Sequence, residues 1–306
     1  MPATLTNAMS DGIPSRRVVV GVDSSLGARV ALGHAVHRVG PGGCLLVTHV
    51  VNPLTNAISG GMAELEDERH AIARELVDGL ADGLGVESDP IVVDGFAPER
   101  LAALADEREA DEIVVGSRGL GRFAAALGSV SHALLEHASH PVVVVPQAAA
   151  DHPRHPHEHG NCTVVVGYDG SDSARAALGY AAQRAASGGR VIAVHAVQPA
   201  PDWLGSPYYQ RALDAHQAQG RDLLRSLEEQ SDLGVELTTS LLEGPPARAI
   251  VAAADARDAD EIVIGSRGFG PIRGVLGSVS HAVLHGADRA VVVLPAAAVS
   301  AGAPRA

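Results

Sequence analysis

Two copies of one glycine-rich stretch carry the residues best suited to bind a phosphate group. Each copy ends in glycine and serine: the first is Gly116-Ser117-Arg118-Gly119 reaching Gly128-Ser129, and the second is Gly265-Ser266-Arg267-Gly268 reaching Gly277-Ser278. Glycines let backbone N–H groups turn toward a ligand, and a helix N-terminus adds unpaired donors and the positive end of a dipole. The stretch therefore indicates a phosphate cradle. A tight strand-to-helix turn without a ligand is the alternative.

Short apolar runs that alternate with helical patterns must position these loops. Runs rich in valine predict strands buried on both faces, as in parallel sheets covered by helices. The strands predicted in the first half are Val18–Val22, Cys44–Val50, Ile91–Val93, Glu112–Val115 and Val142–Val145. The pattern restarts at Val164, so half of the chain duplicates the other half. The predicted fold class is α/β, with two tandem doubly wound five-stranded parallel sheets (strand order 3-2-1-4-5) and helices on both faces.

Composition shifts divide the chain into two domains and three connecting or terminal segments. The predicted domains are residues 16–147 and 162–296. Residues 1–15 and 297–306 are predicted to be tails, and residues 148–161 form a linker rich in proline and histidine. The linker histidines, at positions 152, 155, 157 and 159, are a composition that can bind metal. A proline-stiffened tract rarely preorganises ligands, so we assign no functional metal site to it.

Charge and residue usage exclude several classes of function. A net charge of −13 gives no basic surface for nucleic acid or an anionic membrane. All 23 basic residues are arginine, which removes a Walker A loop and a lysine general base. No run approaches the roughly 18 apolar residues of a membrane span, and the N-terminus does not resemble a secretory signal. With two cysteines far apart, Cys44 and Cys162, the chain is predicted to be cytoplasmic with free thiols, and a disulfide between the two is the alternative.

In the predicted strand order, strands 1 and 4 flank the point where the order reverses, which is where such sheets bind ligands. Asp23 follows strand 1 and Gly116 ends strand 4; Asp169 and Gly265 are their counterparts. A carboxylate there could accept a ribose hydroxyl or support Mg²⁺ on phosphate oxygens. Alternatively, Asp23 (or Ser24 beside it) caps the next helix.

Serine and histidine residues repeat just beyond each loop. Ser129 and Ser278 stand where helices are predicted to begin, so each could cap its helix or donate to a phosphate oxygen. His132 and His281 lie one turn further on and are interpreted as partly buried packing residues, with a ligand role as the alternative.

Both copies resemble the universal stress protein domain, in its tandem form. The resemblance rests on the V-V-V-G-x-D start, the His-x-Val/Ala end of strand 2 and the G-S-R-G…G-S-V-S-H loop. It implies ATP binding, with phosphates held by Gly116, Gly119, Gly128, Ser129, Gly265, Gly268, Gly277 and Ser278. It also implies that Asp23 and Asp169 lie beside the ribose and phosphates, where Mg²⁺ could bind with the nucleotide, and that backbone groups at Val50 and Ala196 face adenine.

One departure from the family pattern is shared by both copies. Eight residues separate Gly119 from Gly128, and eight separate Gly268 from Gly277, where the family pattern has nine. A shorter loop would move its N–H donors relative to the phosphates. With this departure, two questions stay open. The nucleotide could be ATP or AMP, and one site or both sites could be filled.

Three functions are compatible with these residues. The first is an ATP-binding stress-response protein that senses or sequesters nucleotide and signals to a partner. The second is an interaction module of the same fold that binds no nucleotide, and the third is a slow ATPase. We identify no catalytic residue, because nothing beyond the two aspartates could serve as a general base.

A single domain of this kind would leave its fifth strand as an exposed all-valine edge, which is an aggregation hazard. The resemblance implies that such edges pair between domains. We therefore expect Val142–Val145 to pair with Val291–Leu294 within one chain, and two chains could associate further as a homodimer.

Overall fold

The computed structural model describes residues 15–52, 62–117, 127–150, 162–186, 188–198, 206–266 and 276–295. The first half contains β1 (Arg17–Gly21), α1 (Leu26–Val36), β2 (Cys44–Val51), α2 (Met62–Ala81), β3 (Glu87–Asp94), α3 (Ala97–Glu107), β4 (Glu112–Gly116), α4 (Ser129–His137) and β5 (Val142–Val145). The second half contains β6 (Thr163–Gly167), α5 (Asp172–Ala185), β7 (Arg190–Val197), α6 (Ser206–Gln230), β8 (Glu236–Glu243), α7 (Pro246–Ala256), β9 (Glu261–Gly265), α8 (Ser278–Gly286) and β10 (Ala290–Leu294). A short 3₁₀ turn, Gln147–Ala150, follows β5.

Each half has the predicted α/β fold and strand order. The first half reads β3-β2-β1-β4-β5, and the second reads β8-β7-β6-β9-β10, with parallel pairing throughout each half. β3 is longer than the predicted Ile91–Val93 because it pairs with β2 along its whole length, from Glu87 to Asp94. Pro90 is tolerated within it because β3 lies at an edge of the sheet.

The two five-stranded sheets join into one sheet of ten strands through the predicted pairing of β5 with β10. This pairing is antiparallel, with Val143 opposite Val292 at its centre. It places the valine strands in the middle of the sheet and leaves β3 and β8 at the edges. Because the join reverses strand direction, the carboxyl ends of the strands in the two halves lie at opposite ends of the sheet.

Side chains alternate between two apolar layers, one on each face of the sheet. One layer contains α1, α2, α5 and α6 and includes Val20, Val143 and Val292. The other contains α3, α4, α7 and α8 and includes Val19, Val144 and Val291. Both layers run across the join, so the two halves share a core.

A buried charge network crosses the join beneath α1 and α5. Arg38 Nε lies 2.6 Å from Glu112 Oε1, and Arg38 Nη1 lies 2.5 Å from Glu261 Oε2. Arg38, Glu112 and Glu261 are all 0% exposed. The guanidinium of Arg38, from the first half, therefore binds the glutamate that begins β4 and the glutamate that begins β9.

Further polar groups complete this network. Arg16 reaches Glu112 at 3.3 Å, and Arg184 reaches Glu261 at 3.2 Å. The Tyr180 hydroxyl accepts from Arg38 Nη2 at 2.6 Å and donates to Glu112. Burial raises the pKa of Tyr180 to about 12, which keeps it protonated as a donor. Arg38 and Arg184 hold the pKa of Glu261 at about 2 despite its burial, so its charge persists.

Both cysteines, Cys44 and Cys162, are free thiols. Within the described ranges, no helix has the length and apolar character needed to cross a membrane.

Candidate functional site

A cavity of about 790 Å³ opens at the carboxyl ends of β1, β2 and β4. This is the point where the strand order of the first half reverses, and the volume suits a small organic ligand. Its lining comes from β1 and the turn after it, from β2, α2 and α3, and from the start of α4. Its lining residues include Asp23, Ser24, Val50, Asn52, Arg69, Ile72, Leu76, Ala97, Gly116, Gly128 and Ser129.

Asp23 places a carboxylate in this cavity without capping the next helix. The backbone N–H of Ser25 donates to Asp23 Oδ1 at 2.9 Å, which forms an Asx turn. Ser25, not Asp23 or Ser24, is the N-cap of α1, and its hydroxyl accepts from the N–H of Ala28 at 3.1 Å. The predicted capping role for Asp23 or Ser24 is therefore wrong.

The start of α4 forms a second wall of the cavity. Gly128 is its N-cap with no side-chain cap bond, and Ser129 is the first helical residue, with an exposed side chain. The option that Ser129 caps α4 is therefore wrong, since the N–H groups of this turn have no capping side chain. The Ser131 hydroxyl donates to the carbonyl of Gly116 at 2.7 Å, and the N–H of Gly128 donates to the carbonyl of Ser117 at 2.7 Å. These two bonds fix the helix start against the end of β4.

The third wall is largely apolar and comes from β2 and α2. Val50 is half-buried at the end of β2, and Ile72, 60% exposed, lies with Leu76 on the facing side of α2. Arg69 brings a positive charge to the same wall and donates from Nη2 to the carbonyl of Asn52 at 2.8 Å. The cavity thus combines an apolar slot, one carboxylate, one guanidinium and a helix N-terminus.

The second half repeats the same framework. The N–H of Ser171 donates to Asp169 Oδ1 at 2.9 Å, and Ser171, not Asp169, is the N-cap of α5. Gly277 is the N-cap of α8, so Ser278 is its first helical residue and does not cap it. The Ser280 hydroxyl donates to the carbonyl of Gly265 at 2.8 Å, as Ser131 does to Gly116.

Strand 2 of each half also ends in the same way. His49 Nδ1 lies 2.8 Å from the carbonyl of Val22, and His195 Nδ1 lies 2.8 Å from the carbonyl of Tyr168. These contacts tie the end of β2 to β1 and the end of β7 to β6. Ala196 follows His195, as Val50 follows His49.

The structure brings together most of the residues predicted for the first site. Asp23, Val50, Gly116, Gly128 and Ser129 all line the cavity. Their counterparts Asp169, Ala196, Gly265, Gly277 and Ser278 hold the equivalent places at the strand ends and helix start of the second half. Gly119 and Gly268 lie outside the described residues.

Reasoning from sequence missed Arg69, Asn52 and Ser131 at the first site. Arg69 and Asn52 lie outside the repeated motifs, so no signal marked them. Ser131 could have been found, because Ser280 occupies the same place in the second copy of S-V-S-H. The interpretation of His132 and His281 as partly buried is wrong, since both side chains are exposed.

Comparisons with known proteins identify the family. The universal stress protein family matches residues 14–146 and 161–295, and the chain belongs to that family. A universal stress protein of Mycolicibacterium smegmatis is 32% identical over 302 residues, which cover 90% of this chain and 96% of that protein. One from Mycobacterium tuberculosis is 30% identical over 308 residues, covering 93% and 98% respectively. The crystal structure of a universal stress protein from Archaeoglobus fulgidus has the same fold, with a TM-score of 0.62, 22% identity and coverage of 92% of this chain and 98% of that one.

Proposed function

We propose that this protein binds ATP at the carboxyl ends of its strands and acts in the cytoplasmic stress response, sensing or sequestering nucleotide and signalling to a partner. The observation that carries the proposal is the first-half cavity, whose lining combines the Asp23 carboxylate, the N-terminus of α4 and the apolar side chains of β2 and α2. Asp169 and α8 offer the same groups in the second half.

The residues of the cavity fit each part of an adenine nucleotide. Val50, Ile72 and Leu76 offer an apolar slot for a flat ring, and the backbone at Val50 can supply polar contacts to its edge. Asp23 offers a carboxylate to ribose hydroxyls. Oδ1 accepts a bond from the Ser25 N–H, and an ionised carboxylate has about four acceptor positions, so it retains acceptor capacity for a ligand.

The phosphates would lie against the start of α4, where backbone N–H groups and the helix dipole favour negative charge. Arg69 adds a positive charge on the wall formed by β2 and α2. Mg²⁺ bound with the nucleotide would take phosphate oxygens and the Asp23 carboxylate, which suits its preference for one or two carboxylates with phosphate.

The test is calorimetric titration of the full chain with ATP and Mg²⁺, with AMP in parallel, and mass spectrometry of small molecules released from gently purified protein. The Asp23→Asn variant keeps Oδ1 for Ser25 but loses the charge. A hydrogen bond to a charged group contributes about 1.5–3 kcal/mol, so we expect about 10- to 100-fold weaker binding at the first site.

Asp169→Asn is the matched control, because it makes the same change in the second half. It should leave the first site at wild-type affinity and weaken the second. If neither ATP nor AMP gives heat and no nucleotide is released, the protein is instead an interaction module of the same fold. Release of ADP during the titration would indicate the slow ATPase.

A further inference from the structure

Three exposed histidines lie where α4 and α8 approach each other across the join, and a glutamate of α4 lies beside one of them. His132 and Glu136 lie one turn apart on α4, and His281 and His285 occupy the same two places on α8. The side chain of His132 is 46% exposed and that of Glu136 is 25% exposed. The cluster lies on the face of the sheet covered by α3, α4, α7 and α8, so it is separate from the buried arginine network.

The two histidines of α8 already have the spacing of a metal-binding pair. His281 Nε2 and His285 Nε2 are 3.3 Å apart. Two nitrogens bound to one tetrahedral zinc ion at about 2.0–2.1 Å would be about 3.3–3.4 Å apart. The i,i+4 spacing on one helix face holds the two rings side by side, with centroids 4.4 Å apart.

The first half supplies the third histidine. The ring of His132 meets that of His281 edge to face, with centroids 6.4 Å apart. Glu136 Oε1 lies 3.6 Å from His132 Nε2. Together His281, His285 and His132 provide three imidazoles, which are ligands that zinc accepts, and leave a fourth position for solvent.

We propose that Zn²⁺ binds between α4 and α8, held by His281 and His285 of the second half and His132 of the first. Among the described residues, no three metal-ligand side chains converge on one point before the ion arrives. His132 must therefore turn from Glu136 toward the histidine pair, a rotation that exposed side chains make readily. The bound ion would link the first half to the second.

The test must first remove the four linker histidines, because a His-rich tract binds metal by itself. We would use untagged, metal-stripped full-length protein in which His152, His155, His157 and His159 are replaced by asparagine. Zn²⁺ would be titrated against a chromophoric chelator, and Co²⁺ absorption would report the coordination geometry. We expect one ion per chain, a tetrahedral Co²⁺ spectrum and a rise in melting temperature with Zn²⁺.

Variants then separate a site that joins the halves from a site on one helix. His281→Asn and His285→Asn should each weaken Zn²⁺ binding about 100-fold, and His132→Asn about tenfold. His137→Asn is the matched control, because His137 is also exposed on α4 but its Nδ1 lies 2.8 Å from the carbonyl of Ala133. It should bind Zn²⁺ as the parent does, and circular dichroism would verify the fold of each variant.

Two results would overturn the proposal. One is the absence of Zn²⁺ binding beyond that of the His281→Asn/His285→Asn double variant. The other is unchanged affinity and an unchanged Co²⁺ spectrum in His132→Asn, which would confine the ion to α8.

Discussion

The two halves of the chain share one backbone plan but differ in the side chains beside it. In the first half the turn after β1 contains Ser24, which lines the cavity. In the second half the same place is Gly170, with φ +82°, and a Cβ there would lie 2.9 Å from Leu223 Cδ1 of α6. The side chain of Leu223 thus packs where the first half keeps a polar residue facing its cavity.

Two neighbouring positions carry larger side chains in the second half than in the first. Gly27 in α1 corresponds to Ser173 in α5, and Ser173 lies so close to the end of β9 that a Cβ at Gly265 would be 2.5 Å from its hydroxyl. Val22 corresponds to Tyr168, which is buried. Larger side chains therefore stand around the strand ends of the second half. The two halves share the hydrogen bonds that fix the backbone but differ in the size of the side chains around the strand ends.

The charge network offers the strongest test of this difference. Arg38 binds both Glu112 and Glu261, whereas its counterpart Arg184 reaches Glu261. Removing one partner of a buried ion pair costs about 3–5 kcal/mol, so Arg38→Met should lower the free energy of unfolding by about that amount. Arg184→Met should cost less, because its pair with Glu261 is longer, at 3.2 Å, and Glu261 keeps the 2.5 Å pair with Arg38, whereas Arg38→Met removes the short pairs of both glutamates. Urea unfolding followed by circular dichroism would measure both, and equal losses would show that the network is symmetric.

A pair of glycines should instead behave alike in the two halves. A Cβ at Gly43 would lie 2.2 Å from the carbonyl oxygen of Arg16, and a Cβ at Gly189 would lie 2.2 Å from that of Cys162. Backbone must move to admit either methyl group. We expect Gly43→Ala and Gly189→Ala each to lower the free energy of unfolding by about 1–3 kcal/mol in thermal or urea denaturation. A tolerated change in one half alone would show that the two connections differ in rigidity.

His34 gives the network a dependence on pH that Tyr180, its counterpart in α5, does not. Arg38 Nη1 lies 3.3 Å from His34 Nε2, which accepts a hydrogen bond only while the ring is neutral. Burial and the charge of Arg38 lower the pKa of His34 from 6.5 to about 3. Below pH 6.5 the unfolded chain therefore binds a proton that the folded protein does not, and stability falls as pH falls.

The expected contribution of His34 is about 1.4 kcal/mol per pH unit below pH 6.5. Urea unfolding at pH 7.5, 6 and 5 should show a shallower loss in His34→Gln than in the wild type. Glu112 and Glu261 act at lower pH, because their lowered pKa values stabilise the fold above about pH 4.5 and that contribution disappears only as they protonate. Parallel pH profiles in the variant and the wild type would show that His34 does not cause the loss of stability below pH 6.5.

The smallest effect should again be equal in the two halves. Gly33 in α1 and Gly179 in α5 occupy matching helical positions, and a Cβ at either would meet nothing within 4 Å. Alanine costs less conformational entropy than glycine in a helix, so Gly33→Ala and Gly179→Ala should each raise the free energy of unfolding by about 0.5–1 kcal/mol. Melting temperatures measured by calorimetry would detect this, with Gly43→Ala as the contrasting substitution.

Local patterns were sufficient to predict the strands, their order and the helices that begin at Ser129 and Ser278. Continuous valine runs are specific to buried strands, and the duplication supplied each pattern twice. Asp23 and Gly116 could be placed at one cavity because strand order alone brings their strand ends together.

Contacts distant in sequence could not be predicted in this way. Arg38 lies 74 residues from Glu112 and 223 from Glu261, so no spacing rule connects them. Ser25 and Asp23 could both cap a helix on composition, and only the backbone geometry distinguishes the cap from the Asx turn. The exposure of His132 and His281 depends on how α4 and α8 sit on the joined sheet, which the helical pattern does not specify.

The antiparallel join of β5 to β10 changes how the protein responds to dilution. Separate domains that met through these valine strands would dissociate as their concentration fell. Here both strands belong to one chain, so their pairing is intramolecular and does not weaken as the protein is diluted. The strand ends of the first half and those of the second therefore keep one fixed arrangement, at opposite ends of a single sheet, at any protein concentration.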